Sequence, residues 1–144
     1  MSALLEIRGL DVTFETQDNT VEAVKGAALT LDKGETVALV GESGSGKSVT
    51  ALSILQLLPY PVARHSPGSS IVFDGQELVG ADEPTMREIR GNRISMIFQE
   101  PMTSLNPLHK VEKQINETLV LHKGLGERAA RARTLELLDL VGIR

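Results

Sequence analysis

Apolar and polar residues alternate along the first part of the chain, which predicts strands there rather than helices. A polar stretch at 16–20 is expected to be a hairpin loop, and Gly9-Leu10-Asp11 to be a turn. An almost unbroken apolar run at 35–40 is typical of a strand that is buried on both faces. The chain therefore opens with a predicted antiparallel β-lobe that leads into a sheet core. The alternating strands of this lobe are predicted at 4–8, 12–15 and 21–31.

Helical spacing of apolar residues replaces the alternation in the later part of the chain. The segment 59–70 contains three prolines and is expected to be a loop. Two further strands are expected, at 71–73, ending in a tight turn at Asp74-Gly75, and at 93–98. The predicted helices are 49–58, 84–90, 109–121 and 127–140, with Gly142 as the cap of the last.

The most specific motif lies between the predicted strand 35–40 and the helix that follows it. Residues 41–48 read Gly-Glu-Ser-Gly-Ser-Gly-Lys-Ser, which matches the phosphate-binding pattern G-x-x-x-x-G-K-[ST]. A flexible Gly/Ser linker is disfavoured, because linkers do not stand between two apolar elements. A strand, a glycine-rich loop and a helix in this order predict a binding site for a nucleoside triphosphate.

Each position of this loop answers a need of the triphosphate. Glycines turn tightly and bring backbone N–H groups close to phosphate oxygens. Lys47 places a positive charge between the β- and γ-phosphates, and the Ser48 hydroxyl is a ligand for Mg²⁺. The helix start directs its positive dipole end at the phosphates. The predicted nucleotide-binding residues of the loop are Gly41, Ser43, Gly44, Ser45, Gly46, Lys47, Ser48 and Val49.

Composition narrows the function classes further. The net charge is −4, which disfavours a nucleic-acid partner. The chain has no cysteine, so disulfides, thiolate nucleophiles and Cys-ligated metals are excluded, and its three histidines share no ligand spacing. There is no signal-peptide pattern and no apolar run long enough to span a membrane. We therefore expect a cytoplasmic chain that reaches a membrane only through a partner.

The order of these segments resembles the nucleotide-binding domain of an ATP-binding-cassette (ABC) transporter. Phe14 stands upstream of the phosphate loop, like the family's aromatic residue that stacks on adenine. The sequence Met-Ile-Phe-Gln-Glu-Pro at 96–101 resembles the family's glutamine loop. The resemblance implies an α/β P-loop NTPase fold in three parts. These are an N-terminal antiparallel β-lobe at 1–34, a P-loop α/β core at 35–100 and the start of a helical subdomain at 101–144.

Two stretches, 41–50 and 99–107, are similar to the importer subfamily for di- and oligopeptides (Dpp- and Opp-like), which includes nickel and glutathione importers. The pattern through 108–109 and 141–144 is similar to the Yej-type peptide importer, whose ATPase subunit is a fusion of two such domains. The resemblance implies an ATP-binding, energy-coupling subunit at the inner face of the plasma membrane.

The resemblance also implies roles and partners. Phe14 is expected to stack on adenine, and Gln99 to ligate Mg²⁺ and to orient the attacking water. The segment 101–107 is expected to contact integral-membrane permease subunits. A second ATPase domain, fused or separate, is a further implied partner, and a periplasmic solute-binding protein is an indirect one. ATP and Mg²⁺ are the implied cofactors.

Several family motifs are not found in the sequence: the strand ending in Asp-Glu, the Leu-Ser-Gly-Gly-Gln signature and the later His. We therefore expect a truncated domain that binds Mg-ATP weakly at best, does not hydrolyse it alone, and exposes apolar sheet surface. Alternative interpretations are another P-loop NTPase, such as a GTPase or small-molecule kinase, a soluble ABC ATPase outside transport, or a non-catalytic binding fragment. A GTPase is disfavoured because an Asn-Lys-x-Asp motif is not present.

Overall fold

The computed structural model describes residues 3–99 and 105–143. The chain divides into two compact units, Met1–Arg87 and Glu88–Arg144.

The first unit is built on an antiparallel sheet with a long central strand. Strand β1 (Leu5–Glu15) pairs along one edge with β2 (Thr20–Leu31). Along its other edge β1 pairs with β3 (Ala63–His65) and β4 (Ser70–Phe73), and β5 (Gln76–Glu77) pairs with β4. The predicted antiparallel β-lobe is confirmed, and it includes strands from beyond the phosphate loop.

Strand β1 is continuous, so the predicted turn at Gly9-Leu10-Asp11 is wrong. Its register with β2 shifts where the turn was expected, including between Ile7 and Leu10. Gly9 has a φ of +52°, and a bulge at such a residue bends a strand without ending it. The extra residue also changes which positions face inward, because the side-chain period of a strand is two. The buried residues of β1 are Leu5, Ile7, Leu10 and Val12, each at most 6% exposed.

The predicted buried strand 35–40 is wrong: these residues have no regular secondary structure. Val37, Leu39 and Val40 are 41%, 51% and 85% exposed. A strand needs a neighbour for its backbone hydrogen bonds, and no strand of the described residues pairs with this segment.

Helix α1 (Lys47–Ile54) follows the phosphate loop and is shorter than the predicted 49–58. It ends where Gln56 adopts a φ of +53°. The N–H of Leu57 then donates to the carbonyl of Leu52 at 2.9 Å, and that of Gln56 to Ser53 at 3.1 Å. This is the Schellman pattern, which satisfies the last carbonyls of a helix. It stops α1 before Pro59 is reached.

The segment 59–70 was predicted to be a loop, but it contains β3, which the sequence pattern missed because it is only three residues long. The tight turn after β4 is confirmed. Asp74 and Gly75 have φ values of +49° and +82°, as the central residues of a type I′ hairpin turn require.

The second unit is centred on a helical hairpin. Helix α2 (Glu83–Ile89) begins in the first unit and ends within the first residues of the second. Helices α3 (Val111–Lys123) and α4 (Glu127–Leu140) follow, and a three-residue connection joins these two. The bounds of α4 agree with the prediction, α2 differs by one residue and α3 by two. The cap at Gly142 is confirmed, since its φ is +85° and Ile143 N–H donates to Leu138 at 2.8 Å.

A buried polar contact joins the two helices of the hairpin. The Asn116 amide contacts the hydroxyl of Thr134, which is fully buried. With its amide nitrogen turned inward, Asn116 also donates to the carbonyls of Glu112 at 3.2 Å and Ala130 at 3.3 Å. Glu112 and Arg131 add an ion pair at 3.6 Å.

The strand predicted at 93–98 is also wrong. Only an isolated parallel bridge between Arg90 and Ile94 forms there. Ile97 is 91% exposed and Phe98 is 43% exposed, so the apolar pattern again marks residues that no strand of the described chain pairs with. No helix among residues 3–99 and 105–143 is long and apolar enough to cross a membrane.

Candidate phosphate-binding site

The phosphate loop ends at an uncapped helix start. Gly46 is the N-cap of α1, with a φ of +93°, and no side chain caps the helix there. The first N–H groups of any α-helix lack partners within the helix. The first turn of α1 carries no acidic residue that would offset the positive end of the helix dipole. The helix start directly after the glycine-rich loop therefore has the properties that suit a helix terminus to an anion.

The loop itself is tightly curled. The N–H of Ser45 donates to the carbonyl of Glu42 at 3.1 Å, and Gly44 between them has a φ of +83°. A Cβ at Gly41 would lie 2.6 Å from the Ser45 hydroxyl oxygen. Glycine is favoured at position 44 by backbone conformation, and at position 41 because any side chain would displace the Ser45 hydroxyl.

Lys47 bends back over this curl. Its ammonium donates to the carbonyl oxygen of Gly41 and, at 3.0 Å, to that of Glu42. These partners are neutral, so they orient the ammonium without cancelling its charge. A phosphate oxygen is a stronger acceptor for an ammonium than a carbonyl is, because it is charged. The arrangement holds a positive charge ready at the loop.

The end of the loop rests on the sheet. A Cβ at Gly46 would lie 2.8 Å from the carbonyl oxygen of Ala23 and 3.1 Å from Cγ2 of Val24. Both residues belong to β2. Sequence reasoning missed Ala23, because a contact through a backbone carbonyl leaves no signal in residue type.

The remaining loop residues are accessible or belong to the helix. Ser43 and Ser48 are exposed, and Val49 is half-buried. Thr50 lies within α1. Its hydroxyl donates to the carbonyl of Gly46 at 2.8 Å and it is 9% exposed, which favours packing.

Phe14 lies in the same sheet as Ala23 and Val24, the β2 residues that Gly46 of the phosphate loop contacts. It is half-buried in β1, opposite Val21 of β2 and Ala63 of β3. Val21 is two residues before Ala23, which contacts the loop. The structure thus brings the predicted aromatic platform and the phosphate loop to neighbouring positions along β2.

The family model for ABC transporters matches residues 24–144, which is most of the chain. This chain belongs to the ABC transporter family. It is 57% identical over 141 residues to the peptidoglycan transport ATP-binding protein YejF of Agrobacterium fabrum. It is 50% identical over 143 residues to the oligopeptide transport ATP-binding protein OppD of Bacillus subtilis. These alignments cover 98% and 99% of this chain but only 26% and 40% of the relatives.

Solved structures agree on the fold. The dimeric structure of the bacterial ABC transporter cassette MJ0796 matches 97% of this chain with a TM-score of 0.80 at 22% identity, covering 58% of that cassette. A post-hydrolysis dimer of the same cassette, bound to ADP and Pi, gives a TM-score of 0.76 over the same shares at the same identity. The predicted ABC-type fold, with its β-lobe and the start of a helical subdomain, is confirmed.

Gln99, in the segment that resembles the family's glutamine loop, belongs to the second unit. Gln99 is exposed in a bend, and its predicted roles toward Mg²⁺ and water stay predictions. Of the predicted permease-contacting segment 101–107, residues 101–104 lie outside the described part of the chain. Leu105 is 38% exposed, and Asn106 N–H donates to the Gln114 side chain at 2.9 Å.

A polar cluster beside β1 was not anticipated, since Asp11 was assigned to a turn. Hydrogen bonds from the Ser66 hydroxyl and the Gly26 N–H lower the pKa of the Asp11 carboxyl. Burial lowers the pKa of His65, against a smaller opposite effect of the Asp11 carbonyl. His65 Nε2 also lies 2.6 Å from the Tyr60 hydroxyl. Aspartate is typical of turns and uncommon in strands, so no sequence signal pointed to this cluster.

Proposed function

We propose that this chain binds Mg-ATP at residues 41–49 and serves as the ATP-binding part of an ABC importer for peptides or related small solutes. The observation that carries the proposal is the position of the Lys47 ammonium, held over the curled loop by the carbonyls of Gly41 and Glu42. An ammonium in a glycine loop at an uncapped helix start is suited to a polyphosphate.

The nucleotide would be held mainly by backbone groups. Backbone N–H groups of residues 43–49 would donate to phosphate oxygens, apart from that of Ser45, which donates to the Glu42 carbonyl within the loop. Lys47 would exchange its carbonyl partners for the β- and γ-phosphates. Substitutions of the Ser43 and Ser45 side chains are then tolerated, provided the loop keeps its curl. Gly41, Gly44 and Gly46 keep that curl by the contacts and φ values described above.

Magnesium fits the donors that the sequence supplies. Ser48 is exposed at the first turn of α1, and its hydroxyl is a hard oxygen ligand of the kind that Mg²⁺ prefers. For Gln99, in the second unit, we propose the roles that its resemblance to the family's glutamine loop implies: an amide oxygen ligand for Mg²⁺ and the orientation of the attacking water. A Mg²⁺ ion held there would neutralise charge at the phosphates, where phosphoryl transfer needs electrostatic stabilisation.

Phe14 would stack on adenine. Its half-buried position in β1 fixes the ring without using a loop, and stacking on an aromatic face is tolerant of base identity. This predicts a preference for nucleotides over bare polyphosphates rather than a strict preference for adenine.

The remaining proposals concern the whole protein, since this chain spans 26% of the YejF relative and 40% of OppD. The names of these relatives support transport of peptides or peptide-containing solutes. We propose that hydrolysis is coupled to import, with permease subunits contacting 101–107, a second ATPase domain as partner and a periplasmic solute-binding protein acting indirectly. The site of action is then the cytoplasmic face of the membrane.

A calorimetric titration with Mg-ATP tests the binding proposal. We expect Lys47→Ala to weaken binding at least about tenfold, since it removes a charge-assisted contact worth about 1.5–3 kcal/mol. Lys33→Ala is the matched control: it removes the same charge from an exposed turn and is expected to bind like the parent chain. Equal affinity of the Lys47→Ala variant and the parent, or no binding by a folded parent, would contradict the proposal.

A further inference from the structure

Asp11 connects three separate segments of the first unit through its side chain. Its Oδ1 accepts a hydrogen bond from the N–H of Gly26 at 2.6 Å, and its Oδ2 accepts one from the Ser66 hydroxyl at 2.7 Å. The N–H of Asp11 itself donates to the hydroxyl of Ser69 at 3.0 Å, and the two serine hydroxyls lie 3.1 Å apart. Because both carboxylate oxygens are engaged, the side chain is fixed in direction.

The Gly26 end of this connection lies in an irregular part of β2. Leu10 pairs with Ala27 and Val12 with Val24, so β2 has one residue more than β1 between these pairs. Gly26 has a φ of +61° there. The next pair, Thr13 with Glu22, leaves Ala23 as a second extra residue of β2. Bulged residues lack their ladder hydrogen bonds, so this stretch depends on other contacts for its shape.

The phosphate loop rests on the same bulged stretch. Gly46 lies against the carbonyl of Ala23 and the side chain of Val24, which is 9% exposed and therefore held by the core. Gly26 and Ala23 are three residues apart, so the Asp11 carboxylate and Gly46 touch opposite ends of one short segment.

We propose that Asp11 is a positioning residue for the phosphate loop: its carboxylate fixes the bulged segment 23–26 of β2, and thereby the surface on which Gly46 rests. The consequence for nucleotide affinity rests on the proposed function, whereas the consequence for the conformation of Gly46 does not. The carboxylate is suited to this task because charge-assisted hydrogen bonds are shorter and stronger than neutral ones.

The test compares three variants of the chain by the backbone amide resonance of Gly46 without nucleotide and by the dissociation constant for Mg-ATP. Asp11→Ala removes both hydrogen bonds. Asp11→Asn keeps an oxygen for the Gly26 N–H. Glu77→Ala is the matched control, because Glu77 Oε2 accepts a hydrogen bond from the Ile71 N–H at 2.9 Å elsewhere in the same sheet.

We expect Asp11→Ala to shift the Gly46 resonance and to weaken Mg-ATP binding about fivefold or more. Asp11→Asn should leave the Gly46 resonance near its parental position and the dissociation constant within about twofold of the parent. Glu77→Ala should change neither readout. A purely structural role of Asp11 would lower stability without shifting the Gly46 resonance or weakening Mg-ATP binding in the folded variant. An unshifted Gly46 resonance in folded Asp11→Ala protein, or an equal shift in Glu77→Ala, overturns the inference.

Two further outcomes stay decisive. If Asp11→Ala does not fold, Ser66→Ala takes its place: it frees one carboxylate oxygen and is expected to shift Gly46 by a smaller amount, and no shift overturns the inference. If the folded parent does not bind Mg-ATP, the proposed function fails, while the Gly46 resonance still decides whether Asp11 positions the loop.

Discussion

Gly46 of the phosphate loop lies directly against the carbonyl oxygen of Ala23, at a distance that leaves no room for a side chain. A Cβ at position 46 would stand 2.8 Å from that oxygen. Gly44, two residues earlier, has a similarly positive φ of +83°, but a Cβ there would meet no atom within 4 Å. The two glycines separate the cost of backbone strain from the cost of a steric clash.

This pair yields the first prediction. Gly44→Ala should lower the free energy of unfolding by about 1–2 kcal/mol, the cost of a left-handed backbone for an L-residue. Gly46→Ala should cost about 3 kcal/mol, because the β2 backbone must also move. Urea denaturation followed by circular dichroism measures both. Equal losses of unfolding free energy in the two variants would show that the Ala23 carbonyl can move aside without an energetic cost.

The second prediction concerns Phe14. Phe14→Leu keeps an apolar side chain opposite Val21 but removes the aromatic face, and should weaken Mg-ATP binding by about 1–3 kcal/mol. Binding of Mg-tripolyphosphate, which has no base, should not change. Calorimetry with both ligands makes the comparison. A parallel loss for tripolyphosphate would show that Phe14 acts through the shape of the loop instead.

The third prediction follows from the lowered pKa of His65. Burial favours its neutral form in the folded state, whereas the unfolded chain takes up a proton near pH 6.5. The unfolded state therefore binds more protons below that pH, and stability falls as the pH drops through 6.5 toward the lower folded pKa. The stability that the neutral, buried His65 contributes is fully present above the pKa that this side chain has in the unfolded chain.

Urea denaturation at pH 8 and at pH 5.5 measures this effect. The parent should lose more stability between the two pH values than His65→Gln, which keeps a polar side chain near Tyr60 but does not titrate. An identical pH dependence in the two proteins would show that another group is responsible.

The fourth prediction concerns the helical hairpin. Thr134→Val preserves shape but removes the hydroxyl that contacts Asn116, and should destabilise the hairpin by about 1 kcal/mol. Thr118→Val makes the same change at an exposed position of α3 and should stay within about 0.5 kcal/mol of the parent. Thermal melts monitored by the helical circular dichroism signal compare them. If Thr134→Val is as stable as the parent, the buried contact with Asn116 makes no net contribution to stability.

The fifth prediction concerns the exposed apolar segment 35–40. Val37→Thr together with Val40→Thr keeps the side-chain shape but makes exposed surface polar, so self-association should decrease. Sedimentation velocity over a range of concentrations measures this. Val12→Thr, the same change at a fully buried position, should instead lower the free energy of unfolding by about 1–3 kcal/mol. An unchanged apparent mass in the double variant would show that this segment does not drive association.

Features that depend only on residues close together in the chain were predicted correctly from the sequence. The G-x-x-x-x-G-K-[ST] loop, the Asp74-Gly75 turn, the bounds of α4 and the cap at Gly142 all follow from backbone requirements of particular residue types. These features need no information about which distant segments meet. The family resemblance carried by the same local motifs was confirmed for that reason.

Contacts between distant segments were decided by the tertiary structure alone. The apolar runs at 35–40 and 93–98 have the pattern of buried strands, yet a strand exists only where a neighbour accepts its hydrogen bonds, and residue type does not say whether one is present. The bulges of β2 depend likewise on register, which places Ala23 beneath Gly46 and the Gly26 N–H within reach of Asp11. The sequence by itself determined what the phosphate loop is made of, and the packing of β1 and β2 decided what the loop rests on.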